Sequence, residues 1–205
     1  MNRLTRLLTL GALSLLAACS ILPQTAPQQV YLLPGQAAPA SPAKLVAWSL
    51  RVNTPQASQV LNSNAIAVVP QGSQISLYAA SRWSDSAPRL LRNHLLNAFQ
   101  SDGRIAALSS DDNNLHADLQ LSGELQAFQT EYAQGRPRVV VRLQALLVDS
   151  RNQRILASQR FAVEQNLKDE QVPAVVAAFG QASDELAGQV LSWVMVQAAQ
   201  LPSQR

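Results

Sequence analysis

The chain contains a single cysteine, Cys19, among 205 residues. With no second thiol there is no internal disulfide, so the fold must hold by packing alone. Only two histidines are present, His94 and His116, and charged residues make up 14 % with no run of Lys or Arg. The basic stripe that a nucleic-acid binder needs is therefore missing. No apolar run approaches the roughly 20 residues of a membrane-spanning helix. Neither a Walker motif nor a G-x-S-x-G elbow occurs, so P-loop hydrolysis and the usual serine-hydrolase geometry lack their frames.

The few residues that resemble chemistry have plainer readings. His94 lies among Leu90, Leu91, Leu95 and Ala98 at helical spacing, where a lone histidine serves as a boundary residue with one hydrogen bond. His116 follows Asp111-Asp112-Asn113-Asn114, a string that imitates a calcium loop. The central glycine of such a loop is missing, and the twelfth position counted from Asp111 is Ser122 rather than Glu. A polar turn is the better assignment. No catalytic residue, metal site or cofactor is expected.

What is present starts at the N-terminus. Arg3 and Arg6 precede an apolar stretch from Leu7 to Leu16, followed by the small residues Ala17 and Ala18 and then Cys19. This order reads as a lipoprotein signal peptide over residues 1–18, cleaved before a cysteine that becomes acylated. At ~0.8 kcal/mol per buried CH₂, two or more acyl chains hold a domain on a membrane almost permanently. Ser20 stands where bacterial lipoproteins retained in the inner membrane carry Asp, so outer-membrane sorting is expected. Cleavage leaves 187 of the 205 residues and, without Arg3 and Arg6, 14 basic against 13 acidic side chains. The overall basicity thus says little about partners.

Five prolines between Ser20 and Ala43 mark tether and loop. Residues 19–29 are read as the lipidated cysteine and flexible tether, and 30–200 as one domain. Val30-Tyr31-Leu32-Leu33 forms a short apolar island ended by Pro34-Gly35, read as a first strand. Residues 45–52, 64–70 and 75–78 are further strand candidates, the last two separated at hairpin distance by Gln71-Gly72-Ser73.

A helix is expected after Asp85, with Ser86 or Asp85 as cap, Pro88 in its first turn and Gly103 ending it. Leu90, Leu91, His94, Leu95, Ala98 and Phe99 share one face. Two long alternating segments follow. Ala117, Leu119, Leu121, Gly123, Leu125 and Ala127 face inward in the first, and Val139, Val141, Leu143, Ala145 and Leu147 in the second, with Gly135 and Pro137 between them. A third segment runs from Arg154 to Glu164, with Ile155, Ala157, Phe161 and Val163 inward. One apolar and one polar face is the signature of a sheet wet on one side.

From Pro173, Val175, Phe179, Ala182, Leu186, Val190, Trp193 and Gln197 recur at helical spacing. Gly180 and Gly188 are read as places where this helix lies close on the sheet. The stretch has no basic residue between Lys168 and Arg205, unlike an interfacial membrane helix, so it is read as cover for the sheet. The expected class is α+β, an antiparallel sheet with two main helices packed on one face.

These stretches together resemble the ABC-type transport auxiliary lipoproteins, the PqiC-like lipoproteins associated with MCE (mammalian cell entry) transport systems. The resemblance rests on Val30-Tyr31-Leu32-Leu33 after the lipid cysteine, and on Tyr78 followed by Ser81-Arg82-Trp83 and Pro88 at a Leu-rich helix. It rests also on the alternating 118–128 and 139–149 segments and on Val176-Ala177-Ala178-Phe179 with Ala182, Leu186 and Trp193. It implies a lipid-anchored protein on the periplasmic face of the outer membrane. The implied partners are an MCE-domain periplasmic protein with an inner-membrane permease and ATPase, moving lipids or other hydrophobic molecules. It implies a non-catalytic accessory, and a homo-oligomeric ring around the conduit's tip is one form such a dock takes.

Tyr78, Arg82 and Trp83 are the candidate partner-binding residues, since Trp beside Arg is a common interface anchor. The alternative is that Trp83 fills the gap between strand and helix while Arg82 pairs with Asp85. A second reading of the whole is a carrier that binds lipid in a groove between sheet and helices.

Overall fold

The computed structural model describes residues 27–36, 41, 44–113 and 115–200. Its strands are β1 (Gln29–Tyr31), β2 (Leu50–Val52), β3 (Gln56–Ala57), β4 (Ala65–Gln71), β5 (Gln74–Trp83), β6 (Leu108–Ser110), β7 (Leu119–Ala133), β8 (Arg136–Asp149) and β9 (Arg154–Asn166). Two helices, α1 (Ala87–Asp102) and α2 (Val172–Ala199), complete the α+β fold.

The spine is the meander β7–β8–β9, antiparallel throughout. Its first turn is the two-residue Gln134-Gly135, both at positive φ (53° and 73°), the backbone that matches the twist of a tight hairpin. Pro137 sits inside β8, opposite Tyr132, rather than in the turn. The free side of β7 is then shared by three strands laid end to end: Leu50 pairs Leu119, Gln56 pairs Glu124 and Ala67 pairs Gln129. All three run parallel to β7. The sheet is therefore mixed, not purely antiparallel, because side-chain alternation marks faces but carries no information on strand direction.

From that edge the sheet divides into two arms. One continues through β2 to β6, parallel. The other continues through β4 to β5, antiparallel, and from β5 to β1, parallel. Residues 45–49, expected as strand, lie outside the ladder, where Val46 N–H donates to Arg104 O at 2.9 Å.

Bulges correct two inward assignments. At Gln126 the β7–β8 register shifts between Leu125 and Ala127, so Phe128 takes the core position opposite Val141, while Ala127 is fully buried but outside that cluster. Near Leu156 a shift in β8–β9 leaves Ile155 exposed while Leu156 packs against the core. An extra residue exchanges the faces of everything beyond it. Gly123 has a different role: at φ +154°, a Cβ there would stand 2.0 Å from the Gln144 carbonyl oxygen.

Helix α1 starts at Ser86 and stops at Gly103, whose left-handed backbone (φ 79°) lets its N–H reach Phe99 O. Leu91, Leu95 and Phe99 are buried. Helix α2 buries Val175, Phe179, Ala182, Leu186, Val190 and Trp193. It packs on β8 and β9, and α1 packs against α2 and touches β2 and β6. Phe161 of β9 meets Trp193 edge-on at 5.7 Å. No helix among the described residues is long and apolar enough to cross a membrane.

Candidate docking site

The three residues singled out in sequence all lie on β5, where a kink decides their fate. Between the pairs Ala67–Leu77 and Ala65–Arg82, one residue of β4 faces four of β5, and Ala80 takes positive φ (50°). The kink turns the end of β5 inward.

Trp83 is fully buried. Its ring meets Phe128 at 5.8 Å and Phe179 at 5.2 Å, both edge-on, and those two stack at 4.6 Å. One side chain thus ties β5, β7 and α2 together, and its N–H group is buried without a partner. The packing alternative describes Trp83, and a surface anchor does not. Tyr78 is half-buried, its hydroxyl 3.3 Å from Thr130 Oγ1, with burial pushing its ionisation above the ordinary tyrosine range. Arg82 is half-buried, between Val30 of β1 and Ala65 of β4. It does not pair with Asp85, which faces Arg89 instead at 3.7 Å. Arg82 Nε, like the Trp83 N–H, is buried without a partner among the described residues. Cys19 lies outside the described residues.

The acidic string near His116 has a structural occupation. Arg92 is buried on α1 and sends one guanidinium nitrogen to Asp111 Oδ1 at 2.7 Å and the other to Asp112 Oδ2 at 2.6 Å. Thr54 N–H also donates to Asp111, at 3.0 Å. The arginine holds the Asp112 carboxyl below the ordinary aspartate range. These acids fasten a turn to a helix. Asp118 does the same for the stretch before β2, accepting from Ser49 N–H at 2.8 Å and from its hydroxyl at 2.7 Å, which lowers its pKa.

A contact not anticipated in the sequence joins the N-terminal segment to both helices. His94 Nε2 stands 2.8 Å from Asp184 Oδ1 of α2. The same carboxylate accepts from Gln36 N–H at 3.1 Å and 3.2 Å. Pro34 presses on Gly180, where an added Cβ would come within 2.6 Å of the proline ring, and a Cβ added at Gly35 would come as near to the His94 ring. Gly180 thus makes room for the N-terminal strap rather than for the sheet, and Gly188 faces open space. Beside the strap runs a groove of about 550 Å³, lined by Leu33, Asn97, Ala98, Ser101 and Leu191 among others. Two glycines and one acid, scattered over 150 residues of sequence, offered no local pattern for this joint.

The model of the ABC-type transport auxiliary lipoprotein component family matches residues 31–191, which spans every strand from β2 to β9, α1 and most of α2. The chain belongs to that family.

Among solved structures, this auxiliary lipoprotein is similar to protein XCC0632 from Xanthomonas campestris: 27 % identity, TM-score 0.78, covering 84 % of this chain and 97 % of that one. A crystal structure of an uncharacterized protein shares the fold at 16 % identity and TM-score 0.64, covering 82 % and 99 %. A curated relative, an uncharacterized protein of Bradyrhizobium diazoefficiens, is 29 % identical over 155 residues. That match covers 75 % of this chain, which spans about two fifths (41 %) of the relative's length.

Proposed function

We propose that this auxiliary lipoprotein is a non-catalytic accessory of an MCE and ABC-type intermembrane transport system. Acyl chains on Cys19 hold it to the periplasmic face of the outer membrane, where it docks the MCE-domain partner of an inner-membrane permease and ATPase. The cargo is a lipid or another hydrophobic molecule that passes through the partner. The observation that carries this reading is a lipobox cysteine, ten residues before the first strand, on a transport-auxiliary domain.

The carrier reading fits less well. Trp83, Phe128 and Phe179 fill the space between sheet and α2, with Val175, Leu186 and Val190 fully buried around them. A core packed to that degree has no room for an acyl chain. Docking must then use the outer surface, where Tyr78 and Arg82, both half-buried, remain of the predicted trio.

Crosslinking in membranes followed by pull-down tests the proposal. Recovery of an MCE-domain protein supports it, and loss of the crosslink in Arg82→Ala with unchanged folding places the contact on β5. A Cys19→Ser chain is expected to leave the membrane fraction. Recovery of no transport component from lipidated protein would sink the accessory reading.

A further inference from the structure

Charge is distributed unevenly along the chain, and the fold gathers the uncharged parts. No Asp, Glu, Lys or Arg occurs from Leu7 to Ala43, and none from Val52 to Ser81. The first stretch ends in β1 and the strap, and the second contains the β4–β5 hairpin. The fold lays β1 beside β5, Gln29 opposite Ser81 and Tyr31 opposite Trp83. On this arm aliphatic side chains are exposed: Val30 at 51 %, Leu32 at 75 %, Ile75 at 43 % and Leu77 at 55 %. Around them the hairpin turn shows Pro70, Gln71, Ser73 and Gln74, polar or small but never ionised.

The direction of β1 sets how the chain enters this arm. Because β1 runs parallel to β5, the chain that precedes Gln29 leaves toward the hairpin turn. From Ser81 back to Gln74 is seven residues, at most about 23 Å at ~3.3 Å per residue and less because of the kink at Ala80. From Gln29 back to Cys19 is ten residues, at most ~31 Å at ~3.1 Å per residue. The length of chain up to Cys19 is therefore enough to reach past the turn, by about 8 Å or more when extended.

We propose that the β4–β5 hairpin and β1 form a membrane-resting face, and that its ligand is the lipid surface holding the acyl chains of Cys19. The proposal rests on the anchor reading above and adds an orientation to it. Apart from Arg82 at its far end the arm carries no ionised group, so it loses little charge hydration at the headgroups. Its aliphatic residues need only weak affinity, since the anchor keeps them at high local concentration. A protein partner or a second copy would have to compete with a bilayer already within reach.

The test uses mature lipidated protein in vesicles of phosphatidylethanolamine with a minor fraction of phosphatidylglycerol. Cys19 is blocked by its acyl chain, so Leu77→Cys and, separately, Asn152→Cys at the β8–β9 turn each accept one environment-sensitive fluorophore. Quenching by brominated acyl chains is expected to be at least about two-fold stronger at position 77 than at 152. Equal quenching on lipidated protein overturns the face while leaving the anchor intact. Shielding of position 77 that persists in detergent and grows with protein concentration overturns it in favour of a second copy. The mass of the N-terminal peptide reads the anchor separately, and an unacylated Cys19 removes both the anchor and the face it aims.

Discussion

The two arms that share the free edge of β7 are built by opposite means. The β2–β6 arm is fastened by charge: Arg92 to Asp111 and Asp112, Asp118 to Ser49, and Arg104 to Asp102 at 2.6 Å. The β1–β5–β4 arm has no charged residue before Arg82 and is fastened by Trp83 against Phe128 and Phe179. Its strands β4 and β5 are 7 and 10 residues long, whereas β2 and β6 have three each. The longer hairpin is held by its own ladder and by its one buried tryptophan. Short strands need specific polar partners, and these restrict where the arm can face water.

Removing the aromatic anchor is expected to have the largest effect. Trp83→Ala leaves a cavity between β5, β7 and α2 and lowers stability by about 3–5 kcal/mol, read by urea unfolding. Proteolysis should then cut the hairpin arm first. If the β2–β6 arm opens first instead, the two arms do not fasten independently.

Arg92→Ala attacks the other arm at its most buried charge. Breaking a buried pair costs about 3–5 kcal/mol when the abandoned partner stays dry. Here Asp111 and Asp112 are 36 % and 50 % exposed, so water takes over and about 2 kcal/mol is expected. Hydrogen exchange should accelerate at Thr54 N–H, a donor to Asp111.

Acid sharpens the contrast further. The folded pKa of Asp118 is lowered, chiefly by the Ser49 hydroxyl and N–H, so the native state binds its proton more weakly than the unfolded chain does. Its contribution is complete above the ordinary aspartate value and is lost as pH falls through the lower folded value. Asp118→Asn should cost about 1 kcal/mol at neutral pH and flatten the acid limb of a stability-against-pH curve. The wild-type β2 arm should loosen before the uncharged hairpin.

The smallest effect is expected for Leu77→Glu. An exposed substitution without partners changes stability by no more than about 0.5 kcal/mol, measured in the absence of membranes. A large loss would show that Leu77 supports the fold rather than an outward face.

How much of this was legible depended on whether a signal was local. Helix α1 could be bounded because Pro88 and Gly103 punctuate it and Leu91, Leu95 and Phe99 repeat along one side. The meander β7–β9 was visible because alternation persists over 13 to 15 residues. The three-residue β2 and β6 and the two-residue β3 are too short for a pattern to rise above chance. Ile155 was misplaced because a bulge is a pairing event, invisible in one strand read alone. Trp83 was ambiguous for a related reason: its sequence neighbours Arg82 and Ser84 suit a surface, and only the kink at Ala80 turns it inward. His94 was read correctly as a boundary residue, but its partner Asp184 lies 90 residues away.

By itself the sequence determined the lipobox motif, the two helices and the long alternating strands, since each is written in spacing between near neighbours. Tertiary structure alone decided the parallel strands on β7, the division of its free edge into a charged and an uncharged arm, and the strap clamped between His94, Asp184 and Gly180. Those outcomes depend on which distant segments share an edge, and pairing across a sheet is set by the total burial of the assembled layers rather than by any one segment's own pattern.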